Sequence, residues 1–168
     1  MGRDVAEDQW NGQMNLRVLK RTRRIPVAGD VFVMLPMDGL YVYGRVIRTD
    51  AMKSEDFNGN LMSIYRSFSK EKTAIPVLDR ESLLVPPIIT NRLPWSAGYL
   101  EYLENRPLTA ADVLEQHCFH DFRGFYCDEY GARLAAASPP IGEWGLASYR
   151  TIDDEVSKAL GLPIAEED

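Results

Sequence analysis

The stretch GDVFVMLPMDGLYVYGRVIR, residues 29–48, constrains this chain more than any other. Two β-rich runs flank a two-residue Asp38-Gly39 link. That is a strong short-range hairpin signal, because a tight primed turn needs positive φ at both central positions and Asp-Gly tolerates it. Residues Val31 to Leu35 are apolar at successive positions, which predicts a strand covered on both faces. In the second run Tyr41, Tyr43, Arg45 and Ile47 alternate with Leu40, Val42, Gly44 and Val46. Gly44 inside a strand predicts a bend, a bulge or a close backbone approach, and a bent hairpin is how a small sheet curls toward a barrel.

The remaining segments extend the sheet. Asn58-Gly59-Asn60 closes a polar loop over 50–60, and Leu61 to Phe68 reads as a third strand. Leu83 to Ile89 reads as another, but Pro86-Pro87 cannot donate to a ladder, so this strand belongs at an edge or a bulge. Gly98 to Leu103, after Trp95, suggests a further strand or a short helix. Thr109-Ala110-Ala111-Asp112 has capping-box spacing and predicts a helix over about 110–117. Thr151-Ile152-Asp153-Asp154 repeats that spacing. Glu155 adds charge to the first turn, Val156, Ala159 and Leu160 supply an apolar face, and Gly161 and Pro163 end the helix.

Strands come first and helices later, which argues for an α+β domain rather than βαβ units. The expected architecture is a twisted antiparallel sheet, with partial closure into a small barrel left open, and two or three short helices packed against it. Residues 1–18 are expected to be a mobile arm, 19–164 a single domain, and 165–168 a frayed end. The expected core includes Val31, Val33, Leu35, Val42, Val46, Ile64, Leu84, Trp95 and Leu114.

Composition narrows the function. The 168 residues are 45% hydrophobic and 26% charged, which is ordinary for a globular domain. No apolar run is long enough for a membrane helix and the N-terminus lacks a secretory leader, so the expected location is the cytoplasm. Charge is uneven: residues 1–24 carry six bases and three acids, whereas 101–168 carry five bases and fourteen acids. That acidic half opposes binding to nucleic acid and suits either a solvated surface or a basic partner. The basic run Leu19 to Arg24 reads as a charged entry to an edge strand.

Chemistry-bearing motifs are sparse. His117, Cys118, His120 and Cys127 are all the His and Cys in the chain. Their spacing lacks a zinc knuckle, so no metal is expected and the cysteines read as small buried hydrophobes. A Cys118 nucleophile with a histidine base lacks a glycine-rich oxyanion turn. There is no phosphate-binding glycine loop and no dinucleotide fingerprint, so no cofactor and no catalytic residue are expected. Gly124-Phe125-Tyr126-Cys127-Asp128-Glu129-Tyr130-Gly131 sets acids among aromatics, the residue types that interfaces use as anchors.

Arg21 to Arg24, Gly29-Asp30-Val31-Phe32, Leu35-Pro36, Asp38-Gly39 and Tyr43-Gly44-Arg45-Val46 resemble the opening of a bacterial family, immunity protein 26, from polymorphic toxin systems. Ile88 to Asn91 with Trp95 and Gly98-Tyr99, and Gly145 to Tyr149 with Thr151 to Asp154, are similar to its later part, giving a resemblance over most of 20–161. The resemblance implies a non-catalytic protein that neutralises a cognate toxin by binding it. No family catalytic residue maps onto this chain. A toxin with a basic active-site cleft would be steered by the acidic half. The expected contact residues are Tyr126, Asp128, Glu129, Glu143 and Trp144. Neither membrane nor nucleic acid is an expected partner. An alternative reading is a small-barrel adaptor that binds a peptide or nucleic acid through Tyr41, Tyr43 and Arg45.

Overall fold

The computed structural model of the protein describes residues 14–165. The hairpin forms first in sequence: β1 (Asp30–Met37) pairs antiparallel with β2 (Leu40–Ala51). β3 (Gly59–Ser69) and β4 (Leu83–Thr90) continue the meander. A one-turn helix, α1 (Leu93–Ser96), leads to β5 (Glu101–Asn105), which returns to pair with β1. A single 3-10 turn (Ala110–Asp112) precedes a small sheet of β6 (Cys118–His120), β7 (Tyr126–Cys127) and β8 (Ile141–Glu143). β9 (Leu146–Ala147) and α2 (Tyr149–Ala159) complete the chain.

The large sheet has the order β5-β1-β2-β3-β4-β9, and the small one β7-β6-β8. The class is α+β, as expected. Among the described residues β5 and β9 are the outer strands of the large sheet and do not pair with each other, so it does not close into a barrel. It is also mixed rather than wholly antiparallel, because β9 runs parallel to β4. The prolines sit where their missing N–H groups predict. Between the Met62–Ile88 and Ile64–Val85 pairs β4 carries an extra residue, a bulge that contains Pro86 and Pro87.

Both faces of the large sheet are covered. One face buries Phe32, Met34, Val42, Val46, Met62 and Ile64 under Trp95 of α1 and Ile152 and Val156 of α2. The other buries Ile47, Leu61 and Ile89 against Phe119 and Cys127 of the small sheet. Of the expected core, Val31, Val33, Val42, Val46, Ile64, Leu84 and Trp95 are buried, whereas Leu35 and Leu114 are only half-buried. Each fully buried aliphatic or aromatic side chain contributes about 1.5–3 kcal/mol.

Four local expectations need correction. The Asp38-Gly39 turn is not primed: Gly39 has φ +75°, but Met52 is the one non-glycine with positive φ among the described residues. The strands absorb the mismatch as a bulge between Met34 and Met37. The loop expected over 50–60 is shorter, since β2 runs to Ala51 and β3 begins at Gly59. The helix expected over 110–117 stops after one turn, although the Thr109–Asp112 capping box forms. The carbonyls of Ala110 and Val113 accept from the Arg80 guanidinium instead of continuing a helical ladder. Finally, α2 starts earlier than expected. Ser148 is its cap and accepts from the Thr151 N–H, so Glu155 lies beyond the first turn.

Residues 1–13 of the expected arm, and 166–168 of the expected frayed end, lie outside the described residues. From residue 14 onward the segment is packed, not loose: Met14, Leu16 and Val18 are buried. The N–H of Leu16 donates to Asp153 Oδ1 at 2.8 Å, and that of Asn15 to the same carboxylate at 3.1 Å. Asp153 is fully buried in α2, so this residue joins the two ends of the domain rather than capping its own helix.

Candidate functional site

The chemistry-bearing side chains are mostly turned inward. His117 is buried, with Nδ1 2.6 Å from Glu129 Oε2. Cys118 accepts from the Ser138 N–H at 3.5 Å, and both cysteines are free and buried. Burial pushes the Cys127 thiol up to about 11, with Asp121 and Asp128 adding to the effect. Among the described residues no three His, Cys, Asp or Glu side chains converge as a metal would need. A thiolate must be accessible to react. In the native protein, alkylation of Cys118 and Cys127 by iodoacetamide at neutral pH should therefore be at least about tenfold slower than in the urea-unfolded chain. Mass spectrometry would read this, and rapid native labelling of Cys118 would contradict it.

The adaptor reading loses its contact residues. Tyr43 is fully buried and its hydroxyl donates to the carbonyls of Glu71 and Lys72 at 2.9 Å. Arg45 is 5% exposed; it donates to the Arg106 and Pro107 carbonyls and pairs with Asp112 at 3.3 Å. Only Tyr41 is partly open. The geometry gives Tyr43 and Arg45 the work of holding loops onto the second face of the sheet, not of reading a ligand.

The expected contact residues gather around the small sheet, because β6 pairs with β7 and β8 on either side. His120 lies opposite both Tyr126 and Glu143, and the Trp144 N–H donates to the His120 carbonyl at 2.9 Å. Tyr126 is half-buried against the His120 ring, with centroids 5.7 Å apart. Trp144 is half-buried against Phe119, at 6.0 Å. The Glu143 side chain is 87% exposed and pairs loosely with His120 Nδ1 at 3.9 Å. Asp128 and Glu129 are placed differently. Asp128 Oδ1 accepts from the Tyr130 and Ala132 N–H groups, which shapes the turn after β7. Glu129 faces inward to His117.

Pairing with bases of the same chain extends through the acidic half, buried at Glu101 and Asp121 and exposed at Glu104. Glu101 pairs with Lys72, Glu104 with Arg106, and Asp121 with Arg123. Hydrogen bonds from Arg123, chiefly its side chain, hold the Asp121 carboxyl below its ordinary value. Composition counts such groups as surface charge, although the fold already employs them.

Two features were missed in the sequence. Phe122, at the tip of the β6–β7 turn, is 88% exposed. The turn that presents it is fixed by Asp121, which accepts from both the backbone and the guanidinium of Arg123. An aromatic beside an Asp-x-x-Gly turn was the available signal. The second is a groove of about 320 Å³ between β4, the β8–β9 link and α2. The Pro86-Pro87 pair was its only mark in the sequence.

A family model described as immunity protein 26 matches residues 27–121, more than half of the chain. The chain belongs to the immunity protein 26 family. No curated protein and no solved structure matches it. The immunity protein 26 match takes in β1–β6 and ends at Asp121, so the resemblance noted for residues 145–154 falls outside it. Within the matched span, Gly29, Gly44 and Arg45 are fixed by the fold. A Cβ on Gly29 would stand 2.6 Å from the Arg106 carbonyl oxygen, and Gly44 lies against the Phe32 ring.

Proposed function

We propose that this immunity-family protein neutralises a cognate protein toxin in the cytoplasm by binding and occluding it, without chemistry of its own. Family membership carries the reading. The burial of both cysteines and of His117 agrees with a protein that acts by occupancy. The contact surface we assign is the end of the small sheet, with Tyr126 and Trp144 as half-open aromatic anchors and Glu143 as the solvent-facing carboxylate. Asp128 and Glu129 belong to the same region, one shaping the turn and the other bracing it from inside. Rigid aromatic anchors ringed by polar groups are how compact interfaces concentrate binding energy, and about 1,600 Å² is enough for tight association. A basic cleft on the toxin would be drawn to this side of the protein.

The test is co-expression with the toxin encoded beside its gene. The expected result is restored growth and a stable stoichiometric complex on gel filtration. Failure of the full chain to protect or to bind would overturn the reading.

A further inference from the structure

The groove beside the small sheet has three walls of different chemistry. β4 supplies the Pro86-Pro87 bulge and Ile88, the β8–β9 link supplies Glu143 and Leu146, and α2 supplies Glu155. The volume, about 320 Å³, lies within the range of pockets that take small ligands, roughly 300–1,000 Å³. Its floor is apolar and two carboxylates border it. Among the described residues no basic side chain lines it. Glu155 is exposed, and among the described residues Glu143 has only the loose His120 contact. Glu101, Asp121 and Glu129 of this half are engaged by partners within the fold, whereas these two carboxylates face solvent at the groove.

The bulge also determines how the groove can be entered. Pro86 and Pro87 have no N–H to offer an added strand, and β9 already occupies the edge at Ile89 and Thr90. A partner must therefore enter side chain first. A long cationic side chain suits both the floor and the rim, since its methylene stem covers apolar surface while its head reaches carboxylates.

We infer that this groove receives an arginine or lysine side chain, flanked by apolar residues, from the toxin. The inference rests on the proposed function for the source of that side chain. The groove adjoins Trp144 through Glu143, so it extends the assigned contact surface rather than forming a separate one.

The probe is the capped peptide acetyl-Leu-Arg-Leu-amide, titrated into the full chain and followed by backbone amide NMR. Shifts are expected at Gly142, Gly145, Ala147 and Thr151. Acetyl-Leu-Gln-Leu-amide, and the arginine peptide on the Glu143→Gln/Glu155→Gln variant, should each bind about tenfold more weakly. Equal affinity for the two peptides, shifts confined to other surfaces, or no shift at millimolar peptide would overturn the inference. Both substituted side chains are exposed, so the variant's unfolding midpoint should match that of the parent. Co-expression separates the two readings. If the parent protects and the double variant binds the toxin equally well, the groove assignment falls and the immunity reading stands. If the parent does not protect, the immunity reading falls, and the peptide titration still judges the groove.

Discussion

Gly44→Ala should destabilise the protein by about 3 kcal/mol, the upper part of the usual range for overpacking a tight core. A Cβ at this position would enter the Phe32 ring and stand 2.8 Å from the Ser63 carbonyl oxygen. Neither neighbour can retreat easily. Phe32 is fully buried and packs edge-on against Trp95, with centroids 5.5 Å apart, and Ser63 is held in β3. For a chain of this size the thermal midpoint should fall by about 10 °C. Gly39→Ala is the internal comparison. Nothing lies within 4 Å of a Cβ there, so its cost comes only from positive φ and should be about 1 kcal/mol. Phe32→Leu should recover part of the loss in the Gly44→Ala background. An unchanged midpoint for Gly44→Ala, measured by urea or heat, would show that the ring and the glycine are not in the contact described.

Asp153→Ala should cost a similar amount, about 2–4 kcal/mol. It strands the N–H groups of Asn15 and Leu16 inside the protein, where a buried unsatisfied donor costs about 1–3 kcal/mol. Asp153→Asn keeps an acceptor and should cost much less. The pH dependence has a definite sign. Burial, the largest influence, raises the Asp153 carboxyl above its ordinary value of 3.8, although the amides of Asn15 and Leu16 pull the other way. A raised folded-state value means that the folded chain binds this proton more tightly than the unfolded one. The resulting stability is complete below the ordinary aspartate value and declines as pH rises through the folded-state value. Denaturation of Asp153→Asn across that interval should lack this decline. Hydrogen exchange at Leu16 gives a local readout, with protection lost in Asp153→Ala and kept in Asp153→Asn.

The sequence carried the sheet well and its attachments poorly. The meander was legible because each strand is long enough to declare itself, and because Gly44 and Pro86-Pro87 mark their own irregularities. The small sheet was illegible, since strands of two or three residues have no period to read. The helix expected over 110–117 failed for a tertiary reason: Arg80 takes the carbonyls that its ladder would need. Met14, Leu16 and Val18 do alternate, so the packed segment had a signal. It was masked by the polar residues before it. The candidate surface was half legible. Tyr126, Glu143 and Trp144 meet because β6 pairs on both sides, which no local pattern reveals. The engagement of Glu129, Asp121 and Glu101 by internal partners cannot be counted from composition at all.

The seam between residues 15 and 153 bridges 138 positions. During synthesis Met14 and Leu16 emerge well over a hundred residues ahead of Ile152 and Val156, which close over the same cluster. Contacts of such separation are slow to form and leave nascent chains sticky. Translation halted before the codons for Tyr149–Ala159 would release a polypeptide with one side of its main sheet only partly covered. A message broken off before that point would yield no closed domain, because the interior is sealed only once Ile152 and Val156 are in place.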